Sequence, residues 1–162
     1  MVNFMWRRLA IVIGSIFILQ GCVSDNDGNP TKQKVDKKVD INMSEKLLYA
    51  AKDKDSETVR RLIEEGVDIN TQDSQGRTAT MIATYNNDIE TAKILIDAGA
   101  DVNIKDVMEN TPFLYAGAEG YIDILKLTIK AGADPSITNR YGGTALIPAS
   151  EHGYVDVIKE LL

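Results

Sequence analysis

Apolar and polar residues follow one another along this chain in three regimes. Leu9 to Leu19 form an apolar run eleven residues long with no charge inside it. From Val23 to about Asp40 the chain is polar: Ser24-Asp25-Asn26-Asp27-Gly28-Asn29-Pro30, then Lys32, Lys34, Lys37 and Lys38, with no helical stripe. Beyond Asp40 the apolar residues recur every three or four positions. Ile89, Ala92, Leu95 and Ile96 form one such stripe, and Ile122, Leu125 and Ile129 form another. That spacing puts them on one face of an α-helix. Gly99 and Gly132 close the two stripes, so the predicted helices are short and end in loops.

The stripes belong to a longer period. Asp68-Ile69-Asn70, Asp101-Val102-Asn103 and Asp134-Pro135-Ser136 recur every 33 residues, each after a glycine and a small residue. Thr78, Thr111 and Thr144 keep the same period, as do Ala50, Ala83, Ala116 and Ala149. Each part has a physical use. A threonine side chain accepts a first-turn N–H, and Pro112 fits the first helical turn, where no donor is needed. The alanines let inner helices approach one another. Gly120, Gly153 and Asn87 tolerate the left-handed backbone that ends a helix. One such unit cannot bury its own faces, so units must stack.

Thr111-Pro112-Phe113-Leu114-Tyr115-Ala116 is close to the Thr-Pro-Leu-His-x-Ala signature of the ankyrin repeat. Gly120-Tyr121-Ile122-Asp123-Ile124-Leu125-Lys126 and Gly153-Tyr154-Val155-Asp156-Val157-Ile158-Lys159 resemble its glycine turn and second helix. The resemblance covers a 41–162 domain in repeats of about 40–72, 73–105, 106–138 and 139–162, the last incomplete. It implies an all-α fold, an ankyrin-repeat solenoid of stacked helix-turn-helix units with extended loops. It also implies a non-catalytic protein-protein interaction module, because members of that family generally bind proteins through loop tips and the concave face of the inner helices. Carried over by position, the candidates are Ser74, Gln75, Arg77, Tyr85 and Asn86 in the second repeat. In the third they are Val107, Met108, Tyr115, Ala118 and Glu119, and in the fourth Arg140, Tyr141, Glu151 and His152. Tyrosine and arginine are types that anchor interfaces. Tyr85, Tyr115 and Tyr141 each keep a second reading, as packing between repeats.

Several positions depart from the family pattern. Met81, Leu114 and Ile147 stand where it has histidine. Glu109 replaces the glycine of Gly76 and Gly142, which predicts a different backbone at that loop tip. Pro148 falls inside the fourth inner helix and is expected to distort or shorten it. Lys46-Leu47-Leu48-Tyr49-Ala50-Ala51 lacks the threonine motif, as in a capping repeat with one face in water. The chain stops at Leu161-Leu162 inside an apolar helix. The expectation is therefore that more sequence follows and that the fourth repeat is the least stable.

The N-terminal regimes read as an address. Met1 to Arg8 is basic, and the run after it is far shorter than the ~20 residues of a membrane-spanning helix. It has the size of a signal-peptide core with its positive flank on the cytoplasmic side. Leu19-Gln20-Gly21-Cys22 resembles the bacterial lipobox, which implies that residues 1–21 are removed and that Cys22 is lipidated. The implied location is exported: lipid-anchored at the outer face of the plasma membrane or in the periplasm. Two or more acyl chains hold firmly, at about 0.8 kcal/mol per buried methylene. Residues 22–40 read as a flexible tether, ~25 Å long as a coil and at most about 70 Å extended. Its lysines have two readings, headgroup contact at about 1 kcal/mol each or plain solvation. Asp25-Asn26-Asp27-Gly28 resembles part of a calcium loop, but Val23 and Lys34 would fill ligand positions, which excludes it.

Composition narrows the chemistry. Without residues 1–21, Lys plus Arg falls from 18 to 16 against 24 acidic residues, about -8. An acidic body excludes nucleic acid, which needs a basic stripe. Cys22 is the only cysteine, so an internal disulfide is excluded. His152 is the only histidine, with Glu151 and Asp156 as its nearest carboxylates in sequence. There is no glycine-rich phosphate loop and no His-Glu-x-x-His motif. No cofactor, metal or small-molecule substrate is inferred, and Asp101 and Asp134 recur where loop backbone needs acceptors. The reading is thus a binding module for an unknown protein partner, with the membrane reached through the lipid anchor. The alternative is a protective or immunity protein of the envelope that stabilises a co-exported enzyme or neutralises a toxin.

Overall fold

The computed structural model describes residues 43–162. The expected signal segment 1–21, the lipidation site Cys22 and the tether 22–40 lie outside the described residues. Helical residues 43–52 form α1. After it come α2 (Ser56–Glu64), α3 (Ala79–Tyr85), α4 (Ile89–Asp97), α5 (Pro112–Glu119), α6 (Ile122–Lys130), α7 (Leu146–His152) and α8 (Val155–Leu161). Among the described residues there is no strand. Each odd-numbered helix is followed by its outer partner. In the inner row α3 packs on α5 and α5 on α7; in the outer row α2, α4, α6 and α8 follow one another. The core runs between the rows, from Leu47 and Val59 through Met81, Leu95, Phe113 and Leu125 to Ala149 and Val157, all buried.

Local chemistry sets the helix ends. Thr78 accepts the Met81 N–H at 3.2 Å and Thr111 the Leu114 N–H at 3.3 Å, as the motif predicts. Asp55 and Asp88 cap α2 and α4 through the N–H groups of Thr58 and Thr91. At the same place before α6 and α8 stand Tyr121 and Tyr154, which make no side-chain cap bond. Inner helices stop where the backbone turns left-handed, at φ 48 for Asn87, 79 for Gly120 and 74 for Gly153. Outer helices close with paired bonds such as Ala100 N to Leu95 O and Gly99 N to Ile96 O, both 3.0 Å.

The outer stripe is broader than the sequence pattern suggested and is rotated from it. Leu95 and Leu125 are buried as expected, but so are Ile94 and Ile124, whereas Ile89 is 41% and Ile129 38% exposed. An outer helix meets its inner partner and both outer neighbours, so the buried arc turns toward the stack. The fourth inner helix starts one residue late in register, at Leu146, from an uncapped Ala145. In the other repeats the first turn closes by Ile82 N or Tyr115 N donating to the threonine carbonyl at 3.0 Å. Pro148 occupies that donor position and has no N–H, so Thr144 loses its role.

Glu109 does not change the loop backbone. Its φ is 61, beside 72 at Gly76 and 71 at Gly142, and its N–H bonds Asp106 O at 2.8 Å just as Gly76 bonds Asp73 O at 2.9 Å. The aspartate hydrogen bonds of the turn hold the left-handed conformation despite the β-carbon. Lys105 Nζ meets Glu109 Oε2 at 3.2 Å.

Candidate functional site

The loops between repeats are built alike. Asp73 Oδ1 accepts the N–H groups of Gln75 and Arg77 at 2.8 and 2.9 Å. Asp106 Oδ1 accepts those of Met108 and Asn110 at 2.8 and 2.9 Å, and Asn139 Oδ1 those of Tyr141 and Gly143 at 3.0 and 2.9 Å. Each turn pushes two residues to its tip: Ser74-Gln75, Val107-Met108 and Arg140-Tyr141. Backbone bonds join successive tips, Val107 N to Gln75 O at 3.0 Å and Arg140 N to Met108 O at 3.2 Å. The tips therefore form one row. Further down, Asn70 Oδ1 accepts Asp101 N and Asn103 Oδ1 accepts Asp134 N, so the loop bases are tied as well. Asp101 and Asp134 each accept the N–H two residues on, at 2.8 Å. The recurring carboxylates are thus spent on backbone.

The candidates divide by what they already hold. Arg77 is half-buried and bonds Asp73 Oδ2 through Nε at 2.8 Å and Nη2 at 2.7 Å. Burial opposes charge on Asp73, but Arg77 and the two turn N–H groups outweigh it and hold the carboxyl below its ordinary range. The Tyr85 hydroxyl donates to Asp106 Oδ2 at 2.5 Å, across to the next loop. Burial, then the hydrogen bond to Asp106 and its charge, push its phenol upward. Tyr85 and Tyr115 meet edge-on with ring centres 4.2 Å apart, and Tyr115 meets Tyr121 at 6.3 Å. Burial and the Glu119 charge raise Tyr115 as well. Asn86 Nδ2 donates to the carbonyl of Lys52 at 3.3 Å, while its own carbonyl accepts Lys54 Nζ at 3.0 Å. Tyr85, Tyr115, Arg77 and Asn86 thus tie neighbouring repeats or brace their loops.

The remaining candidates are less occupied. Ser74, Gln75, Glu119 and Glu151 are exposed, and Met108 and Ala118 half-buried. Val107 is 50% and Tyr141 78% exposed. His152 is exposed, stacks on Tyr154 with ring centres 5.4 Å apart, and its Nδ1 lies 2.8 Å from the Pro148 carbonyl. Among the described residues no group of three His, Cys, Asp or Glu side chains is placed to hold a metal ion.

Sequence reasoning named nothing on the first repeat, yet a cleft of about 890 Å³ opens there. Leu48, Tyr49 and Lys52 of α1 face Asp68, Asp73, Arg77 and Ile82 across it. Tyr49 stands in register with Ile82 and Tyr115, so the 33-residue period was the signal that would have found it.

A family model for ankyrin repeats in three copies matches residues 19–106 and 47–139. The chain belongs to the ankyrin-repeat family. The first match reaches back across the segment expected as lipobox and tether. A solved ankyrin repeat domain from Acinetobacter baumannii AYE is similar at 48% identity and a TM-score of 0.69, over 71% of this chain. This chain spans 59% of that domain's length. No curated protein matches. Ankyrin repeats mediate binding to protein partners and are generally non-catalytic.

Proposed function

We propose that this chain is a non-catalytic protein-binding module of the bacterial cell envelope, presenting its loop tips and inner-helix face to a partner from a lipidated Cys22. The observation that carries the binding part is the row of tips. Backbone bonds fix its geometry, while Ser74, Gln75, Val107 and Tyr141 project side chains that the stack does not use. A rigid scaffold with free side chains on its loops is how binding surfaces are commonly made. The envelope part rests on the order of basic start, apolar run and Leu19-Gln20-Gly21-Cys22.

Two measurements test this. Metabolic labelling with a fatty acid marks the wild type and not Cys22→Ser; equal labelling of both overturns the anchor. A photo-crosslinking residue at Ser74, Glu119 or Glu151 captures protein adducts in cells, whereas one at Glu64 on the outer row does not. Adducts at Glu64 alone, or none at the three front positions, overturn the binding surface.

A further inference from the structure

The tips are not equivalent. At the same two turn positions the second repeat carries Ser74-Gln75, the third Val107-Met108 and the fourth Arg140-Tyr141. Loop tips are ordinarily polar because they face water on several sides. Val107 is nonetheless half exposed with a repeat on either side of it, and Tyr141 stands further out. The tip geometry comes from the Asp106 and Asn139 turns and the backbone bonds between tips.

Arg140 adds a charge of particular placement. Its Nη1 lies 3.5 Å from Met108 Sδ, so the guanidinium head rests against the neighbouring tip. Arg77, Lys105 and Lys126 each meet a carboxylate, but among the described residues Arg140 meets none. Nearby, Lys105 and Glu109 neutralise each other, and Asp106 is buried beneath Tyr85. The two tips thus form a small apolar patch with one guanidinium that meets no carboxylate, on a protein whose net charge is -6. An arginine fork held in place but unpaired is matched by a carboxylate, which it binds through two parallel hydrogen bonds.

We infer that the Val107, Met108, Arg140 and Tyr141 tips bind a partner segment in which an apolar side chain lies next to a carboxylate. This rests on the binding-module reading and names the chemistry that the module selects. The apolar side chain covers Val107, Met108 and the Tyr141 ring, and the carboxylate meets Arg140. Arginine and tyrosine side by side are the types that dominate interface energetics.

The test uses the full chain in mild detergent and an array of immobilised peptides. In each peptide leucine or phenylalanine neighbours one aspartate or glutamate, and a twin carries lysine at that position. Wild type is retained on the acidic peptides about tenfold more than on the twins, and added salt reduces the difference. Arg140→Glu inverts the preference and Arg140→Gln abolishes it. Val107→Ser with Met108→Ser lowers retention on both kinds without changing the sign. Unchanged far-ultraviolet circular dichroism certifies each variant as folded. Equal retention, a lysine preference, no retention, or an acidic preference surviving both Arg140 variants overturns the inference. None of these outcomes touches the crosslinking result at Ser74, Glu119 and Glu151, which decides the binding-module reading separately.

Discussion

Glu109 carries a β-carbon at φ 61, where a side chain crowds its own carbonyl. Glycine removes that crowding but loses more entropy on folding and gives up the exposed Lys105 pair, which is worth little. Glu109→Gly is therefore expected to stabilise the protein by about 0.5–1 kcal/mol, read as a higher urea midpoint with unchanged slope. A lower midpoint would mean that the ion pair outweighs the strain. One residue type in a motif was a poor guide to the backbone here, because the bonds to Asp106 that impose the turn are not visible at position 109. Asp73 sets a pH dependence of known sign. Its carboxyl is held below 3.8 in the folded chain, so it contributes stability that is present above the unfolded value and lost as pH falls through the folded one. Urea midpoints taken from pH 6 to about pH 3 should fall less steeply in Asp73→Asn than in wild type, and parallel curves would remove Asp73 from the account.

At the scale of helices, α5 comes close to the start of α7 at Gly117. A β-carbon built on Gly117 would lie 2.6 Å from the Ala145 β-carbon. Glycine to alanine inside a helix ordinarily stabilises by about 1 kcal/mol, but here overpacking opposes it at a typical cost of about 1–3 kcal/mol. Gly117→Ala should therefore destabilise, and Gly117→Ala with Ala145→Gly should recover most of the loss; stabilisation by the single change would refute the contact. The helix pairs, their caps at Thr78 and Thr111 and their stops at Asn87, Gly120 and Gly153 were all legible from the 33-residue period. The burial of Ile94 and Ile124 was not. A stripe drawn on one helix takes no account of the helices on either side, and those neighbours decided which isoleucines went inside.

Across the whole stack, stability is expected to be graded. In α7 only Ala149 is buried and in α8 only Val157, while Ile147 and Val155 are more than half exposed. Neither helix has a side-chain N-cap bond, and Pro148 removes one turn-closing donor. Amide exchange should be faster in 146–161 than in 79–130, and Pro148→Ala should slow it in α7. Uniform protection across both segments would refute the gradient. The candidate surface was legible in the same uneven way. Its tips followed from register, but the links that occupy Tyr85 and Asn86, and the cleft beside Tyr49, depend on which repeat stands next to which. Those links share one property. Lys54 reaches Asn86, Gln72 reaches Lys105, and Asn70 and Asn103 reach Asp101 and Asp134, spanning 31 to 33 residues each. Every bond of this kind joins a unit to the one after it and skips none. A gene duplication that copies one whole unit in place would leave each such partnership with a matching successor, so the chain can lengthen by inheritance without redesigning its interior. Copying half a unit would break the register, and with it these partnerships, at the junction where the copy falls.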